Sequence, residues 1–128
     1  MKRRELPKIS EAEWEVMKLV WQKPLLAVSE IVEQLLAKKQ WQPRTTRTLI
    51  SRLVQKRALR ARRQGNRRVY EAMVCMDECV RHVGRSFLER VFGGAPVSML
   101  IHFVKEASLT PEEIEKLKQA LAEKERNK

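Results

Sequence analysis

Apolar residues recur at helical spacing in three segments of the first half of the chain. The first segment begins with Ser10 and Glu13, which are spaced as a capping box, and it ends before Pro24. A second helix is predicted over residues 28–39 and a third over residues 43–57, where a proline occupies the first helical position. The hydrophobic pattern therefore predicts three consecutive helices.

The third predicted helix has two faces of opposite character. With 100° between successive residues, Thr46, Leu49, Ile50, Leu53 and Val54 fall on one arc of the helix. The opposite arc carries only Arg, Thr, Ser and Gln side chains. One side is therefore expected to pack on the other helices, and the other side is expected to remain a polar surface.

Beyond residue 57 the pattern changes from helical spacing to partial alternation. Residues 59–64 and 68–74 are predicted to be strands, and Gly65-Asn66 between them is typical of a tight turn. A short basic hairpin that directly follows three helices has the form of a wing. The first half of the chain is therefore predicted to be a winged helix-turn-helix unit.

Three further helices are predicted over residues 77–92, 97–106 and 111 onward, the last one opened by a capping box at Thr110. They carry more apolar surface than three helices can hide within one chain, so we expect a dimerisation domain. The alternative is an intramolecular cap on the winged unit. The apolar residues assigned to the dimer interface are Phe87, Leu88, Val91, Phe92, Leu100, Val104, Ile114 and Leu117.

The predicted fold class is mainly α with a small β-hairpin. It comprises a winged helix-turn-helix N-terminal domain over residues 1–75 and a C-terminal three-helix dimerisation domain over residues 76–128. Five of the first eight residues are charged, and the longest apolar run, at residues 25–28, is far too short to cross a bilayer. We therefore expect a cytoplasmic protein without membrane insertion.

Positive charge is concentrated in one part of the chain. The formal net charge is +11, and residues 38–70 contain twelve Lys or Arg and no Asp or Glu. The remaining residues carry fifteen basic and sixteen acidic side chains. Such clustering is typical of a surface that binds a polyanion, and with the predicted winged helix it indicates duplex DNA. A basic RNA-binding or ribosome-associated module is the alternative, and an adaptor for an acidic protein ranks last.

No pattern typical of a catalytic site or a cofactor site occurs, so we expect neither enzyme activity nor a cofactor. Cys75, Cys79 and His82 lie close together, and thiolates and imidazoles are competent zinc or copper ligands. Three ligands at this spacing fall short of a closed site, and a redox switch through the two cysteines is a further alternative. Because free cysteine is more often a small buried hydrophobe, we expect no metal.

Three motifs together resemble the penicillinase repressor family, which comprises the repressors of β-lactamase and methicillin-resistance genes, with copper-responsive relatives. The motifs are ISEAEWEVM at residues 9–17, WQPRTTRTLISRL at residues 41–53, and the stretch from SFL at residue 86 through LTPEEI at residues 109–114. The resemblance implies a homodimeric transcriptional repressor that binds palindromic operators through its winged domain. It also implies that the C-terminal helices interlock with those of the partner subunit.

The resemblance assigns base contacts to Arg44, Thr45, Thr48 and Arg52, at the front of the third helix. The chemistry agrees, because Arg can bind guanine O6 and N7 together and Thr offers a hydroxyl and a methyl group. The residues expected to contact phosphate, which hold register without selecting sequence, are Arg47, Arg62, Arg63, Arg67 and Arg68.

In β-lactam-responsive members of the family, a membrane sensor-protease induces expression, and the repressor is cut at an Asn–Phe bond. The matching bond here is His102–Phe103, where His replaces Asn. This departure favours a purely structural interpretation, with His102 in a helix of the dimerisation domain and Phe103 in its core. Two further departures are Arg57, at a position where relatives often end the helix with Gly, and Ala27, where a Ser commonly caps the second helix.

Overall fold

The computed structural model describes residues 6–127. The helices and strands, in chain order, are α1 (Glu11–Gln22), β1 (Leu26–Ala27), α2 (Val28–Lys39), α3 (Pro43–Gln55), β2 (Leu59–Gln64), β3 (Arg67–Ala72), α4 (Met76–Phe92), α5 (Pro96–Glu106) and α6 (Pro111–Arg126). The chain divides after His82 into two compact units, here called the winged unit and the C-terminal unit. Within residues 6–127 no single helix is long and apolar enough to span a membrane, and only α4 and α5 together, bent by 93°, meet that description.

Both predicted capping boxes are present. At the start of α1 the Ser10 N–H donates to Glu13 Oε1 at 2.9 Å, and the Glu13 N–H donates to Ser10 Oγ at 3.2 Å. Thr110 and Glu113 repeat this exchange before α6, at 2.9 and 3.1 Å. These reciprocal bonds satisfy amide groups that the first helical turn leaves without partners, so the two helices begin where the sequence predicts.

The start of α2 lacks a side-chain cap, as expected from alanine at the capping position. Ala27 carries no side-chain acceptor, but its N–H donates to Glu30 Oε1 at 3.2 Å. Half of a capping box is therefore formed. The carboxylate that forms it also has partners elsewhere in the unit, as described below.

The sheet has three antiparallel strands in the order β1-β3-β2. The sequence predicted the β2–β3 hairpin but missed β1, in which Leu26 pairs with Tyr70 and Ala27 with Val69. A strand of two residues is too short to show a periodic pattern in the sequence. Strand β1 forms because its backbone pairs with one edge of β3. Strand β3 also begins one residue earlier and ends two residues sooner than predicted.

The core of the winged unit lies between the helices and one face of the sheet. Its buried members include Val16 and Met17 of α1, Leu53 of α3 and Tyr70 of β3. Thr46, on the inner arc of α3, is also fully buried, and within the described residues its Oγ1 has no hydrogen-bond partner. The members of this core all belong to the winged unit of one chain.

The C-terminal unit differs, because none of the residues 83–127 is buried. Four rings of α4 and α5 lie with centroids 5.6–6.1 Å apart, namely Phe87, Phe92, His102 and Phe103. Phe103, which the sequence places in the core of a dimerisation domain, is 47% exposed in the single chain. The reason is that α5 and α6 supply apolar faces but no further layer covers them.

Candidate nucleic-acid interface

Helix α3 presents the predicted polar arc to the surface. Arg44, Thr45, Thr48 and Arg52 are all exposed, whereas the apolar arc of the same helix is buried or partly buried. The Thr48 hydroxyl donates to the Arg44 carbonyl oxygen at 3.0 Å. It therefore keeps its acceptor lone pairs and its methyl group available to a ligand. The structure brings these four residues together on one surface, and their contacts with bases stay a prediction.

The arginines of α3 lack acidic neighbours. In the ion pairs described for residues 6–127, none involves Arg44, Arg47 or Arg52. Their charges are thus not neutralised within the described part of the chain. A surface with several uncompensated guanidinium groups attracts an anion with closely spaced charges.

Lys56, at the end of α3, has a different role from the other cations of the basic stretch. Its Nζ lies 2.5 Å from Glu13 Oε1 and 2.7 Å from the Lys8 carbonyl oxygen. The Glu13 side chain is only 2% exposed. The pair therefore fastens the carboxyl end of α3 to the amino end of α1 and orients the helix. Sequence analysis missed it, because Glu13 lies 43 residues away.

Burial alone would raise the pKa of Glu13, which is the largest single influence on it. Hydrogen bonds from Lys56 and from the Ser10 N–H, together with the charge of Lys56, outweigh burial and hold the pKa of Glu13 below its usual range. The buried carboxylate is therefore ionised and paired.

Two carboxylates from outside the basic stretch form ion pairs with arginines of the wing. Glu71 of β3 forms ion pairs with Arg60 and Arg62, the latter through Nη1 at 3.2 Å. The Arg67 guanidinium lies 2.9 Å from Glu30 Oε1 at the start of α2. Sequence analysis placed Arg62 and Arg67 among the phosphate contacts without anticipating these carboxylates.

Glu30 joins three segments of the winged unit. It accepts hydrogen bonds from Lys23 Nζ at 2.8 Å, from the Arg67 guanidinium and from the Ala27 N–H. The hydrogen bond from Lys23 is the main reason why the pKa of Glu30 lies below its usual range. The carboxylate thus connects the loop after α1, the start of α2 and the tip of the wing.

The cysteines lie where the winged unit ends. Cys75 is exposed and Cys79 is buried, and burial, followed by the neighbouring Cys75 and Glu78, raises the pKa of the Cys79 thiol. A thiol with a raised pKa is a poor nucleophile and a poor metal ligand. Within residues 6–127 no three His, Cys, Asp or Glu side chains are grouped so that they could hold a metal ion.

Arg57 follows α3 with a φ of 64°, in the left-handed region that favours glycine. An arginine in this conformation carries backbone strain that a glycine would avoid. The left-handed residue turns the chain out of α3 and into β2.

The family model for the penicillinase repressor matches residues 9–123. The chain belongs to the penicillinase repressor family. It is 33% identical to the penicillinase repressor of Bacillus licheniformis over 125 residues, which cover 98% of each chain. It is also 33% identical to the methicillin resistance regulatory protein MecI of Staphylococcus aureus (strain N315), over 91% of this chain and 94% of that protein.

Two solved structures of the repressor BlaI are similar to this chain. The solution structure of the DNA binding domain of the repressor BlaI has a TM-score of 0.53 and is 32% identical, covering 59% of this chain and 93% of that one. Monomeric Bacillus licheniformis BlaI in complex with the blaP half-operator has a TM-score of 0.54 with the same identity and coverage. The predicted family and winged helix-turn-helix fold are thereby confirmed.

Proposed function

We propose that this chain is a homodimeric transcriptional repressor that binds a palindromic operator in duplex DNA, acting in the cytoplasm. The observation that carries the proposal is the exposed arc of α3. It holds four residues able to bind base edges, and its arginines have no acidic partner within residues 6–127. An α-helix of this kind fits the major groove, where each base pair has a distinct pattern of donors and acceptors.

The solved structure of a relative supports the proposal that this chain binds operator DNA. The repressor BlaI binds the blaP half-operator as a monomer, and its structure is similar to this chain through the winged unit. By analogy, α3 is the recognition helix here. Arg44, Thr45, Thr48 and Arg52 contact bases. The phosphate contacts proposed on sequence grounds are Arg47, Arg62, Arg63, Arg67 and Arg68.

The C-terminal unit supports the proposal of a dimer. Large apolar side chains of α4, α5 and α6 are about half exposed, Leu100 by 54% and Val104 by 50%. Monomeric proteins rarely leave such a patch in water. A second copy with two-fold symmetry would cover it and would place two recognition helices about 34–36 Å apart, in successive major grooves. The interface consists of the eight apolar residues predicted from the sequence.

As an alternative to a purely structural role of His102 and Phe103, which the replacement of Asn by His favours, we propose inactivation by proteolysis at the bond between them, with a membrane sensor-protease as the partner. Both residues are exposed and lie in α5 between Leu100 and Val104. A cut there would divide the helix that carries part of the interface and would weaken the dimer. The sequence departure from Asn to His means that a protease with a different preference is required.

The proposal is tested by selection of bound duplexes from a random library with the full chain. A common palindrome is expected, and Arg44→Ala or Thr48→Ala is expected to relax the sequence preference at the corresponding base pairs, at about 1–3 kcal/mol for each lost contact. Arg47→Ala is the control, because loss of a phosphate contact weakens binding evenly across sequences. Equal affinity for duplex RNA at the same salt concentration, without a palindrome, would favour the RNA-binding alternative.

A further inference from the structure

The cations of the wing lie on two faces with different surroundings. Side chains alternate between the faces of a sheet, and directly opposed residues of an antiparallel pair share a face. From the β2–β3 register we define the outer face by Arg60, Arg62, Arg67, Val69 and Glu71, and the inner face by Leu59, Ala61, Arg63, Arg68 and Tyr70. Each face therefore carries its own group of arginines.

Every arginine of the outer face has a carboxylate within ion-pair distance. Arg60 and Arg62 share Glu71, and Arg67 pairs with Glu30. A phosphate that approaches this face would meet two carboxylates beside the guanidinium groups. Part of the attraction would be cancelled, and one nitrogen of each guanidinium group is already paired with a carboxylate oxygen.

The inner face has the opposite character. Arg63 and Arg68 are directly opposed across the hairpin, and neither forms an ion pair within residues 6–127. Like charges in opposed positions destabilise a sheet unless a ligand neutralises them. Both arginines are exposed, and they lie at the tip of the face that further along carries Leu59 and Tyr70.

This inner face is also the one on the side of the recognition helix. Leu59 and Tyr70 belong to the buried cluster that contains Leu53 of α3, whereas Val69 of the outer face lies outside that cluster. Helix α3 therefore packs against the inner face, whereas the outer face contacts the start of α2 through the Arg67–Glu30 pair and is buried at Val69. Arg63 and Arg68 extend the same side of the sheet beyond the core.

We propose that Glu30 and Glu71 are positioning residues for operator binding, which hold the outer arginines away from DNA so that the wing contacts the sugar-phosphate backbone only through Arg63 and Arg68. The proposal rests on the proposed function and narrows its phosphate contacts in the wing from four arginines to two. In this proposal the two carboxylates determine which face of the wing contacts the duplex.

The test compares how operator affinity depends on salt in two double variants of the full chain. Arg63→Gln/Arg68→Gln and Arg60→Gln/Arg62→Gln each remove two positive charges from the same hairpin. Each phosphate contact contributes about −0.9 to the slope of log K against log salt. Because both subunits of the dimer carry the substitutions, we expect the inner double variant to lose about 1.8 of the slope for each subunit, or about 3.6 for the dimer. We expect the outer double variant to retain the slope of the unchanged chain.

Substitution of each carboxylate by an uncharged amide of similar shape provides the second arm. Glu71→Gln frees Arg60 and Arg62 and is expected to make the slope steeper by up to about 1.8 for each subunit of the dimer. Glu30→Gln frees Arg67 and is expected to add about 0.9 for each subunit, while its amide oxygen can still accept from the Ala27 N–H. Glu33→Gln, an exposed site on α2, is the control that changes net charge equally, and it is expected to leave the slope unchanged.

Equal loss of slope in both double variants would overturn the inference, and so would Glu71→Gln behaving like Glu33→Gln. Thermal unfolding of each variant establishes that the winged unit is folded before its slope is compared. The failure of the proposed function is a separate outcome, since it would appear as absence of palindrome preference in the unchanged chain. The comparison of slopes can then still be made on duplex DNA of arbitrary sequence.

Discussion

The two units of the chain contrast in how they treat their apolar residues. The winged unit buries apolar side chains from all three of its helices and from its sheet in one cluster. The C-terminal unit contains helices of similar length and amphipathicity, yet none of its residues from 83 to 127 is buried. Amphipathic helices alone do not make a core, because each apolar face needs a second layer opposite it. The winged unit has that layer in its own sheet, and the C-terminal unit lacks it.

The contrast has an energetic meaning. Full burial of one large aliphatic side chain contributes about 1.5–3 kcal/mol, and a whole domain is stable by only about 5–15 kcal/mol. Covering the half-exposed residues of α4, α5 and α6 would thus contribute as much as the net stability of a small domain. The winged unit thus buries its apolar side chains within one chain, whereas the exposed apolar faces of the C-terminal unit agree with the proposal that a second copy covers them.

The largest expected effect comes from placing a charge in the apolar face of the C-terminal unit. Leu100→Glu should yield a monomer, because an unpaired carboxylate cannot be buried between two subunits. Operator affinity should fall by about 10²–10⁴-fold, since the second half-site contact is no longer held at high effective concentration. Sedimentation velocity and operator binding measure the two effects.

Gln119→Glu is the matched control for this variant, as it adds one negative charge at an exposed position of α6 outside the apolar stripe. It should leave both the dimer and the operator affinity unchanged. A Leu100→Glu chain that remains dimeric would show that the two copies associate through another surface. The contrast between the two units would then need a different explanation.

A smaller effect, confined to the winged unit, is expected when the buried ion pair is broken. Lys56→Met leaves the Glu13 carboxylate buried without its cation and should lower the free energy of unfolding by about 2 kcal/mol. This is below the range for fully buried pairs, because Lys56 itself is 35% exposed. Chemical denaturation followed by tryptophan fluorescence measures the change, and Lys18→Met, which removes an exposed partner of Glu15, is the control.

The same pair makes stability depend on pH. Because the pKa of Glu13 is lower in the folded chain than its ordinary value of about 4.3, its contribution is fully present above that value. It is lost as the pH falls through the lower pKa of the folded state. Lys56→Met should therefore reduce the acid dependence of unfolding, and an unchanged dependence would argue against the pair.

The smallest expected effect concerns a single hydroxyl in the core of the winged unit. Thr46→Val replaces the buried Oγ1 by a methyl group of similar shape, and it should raise the free energy of unfolding by about 1 kcal/mol because an unpartnered polar group is removed. Thr48→Val, on the exposed arc of the same helix, is the control and should change stability little while weakening operator binding. Destabilisation by Thr46→Val would mean that the hydroxyl has a partner in solution.

Local patterns were sufficient for most of the fold. The capping boxes at Ser10 and Thr110, the proline that opens α3 and the two arcs of α3 all depend on residues within a few positions of each other. Such features can be predicted because a helix places near neighbours in known directions. Strand β1 could not be predicted in this way, since its existence depends on Val69 and Tyr70, more than 40 residues further along the chain.

The basic stretch of residues 38–70 shows what the sequence alone cannot determine about a charged surface. Its twelve cations and lack of acids are visible in the sequence, and so is the polar arc of α3. Only the tertiary structure brings carboxylates from outside the stretch to some of these cations, Glu13 to Lys56, Glu30 to Arg67 and Glu71 to Arg60 and Arg62. Charge composition is a sum over residues and is determined by sequence alone. Which charges remain for a ligand depends on distances between residues far apart in the chain, and folding alone determines those distances.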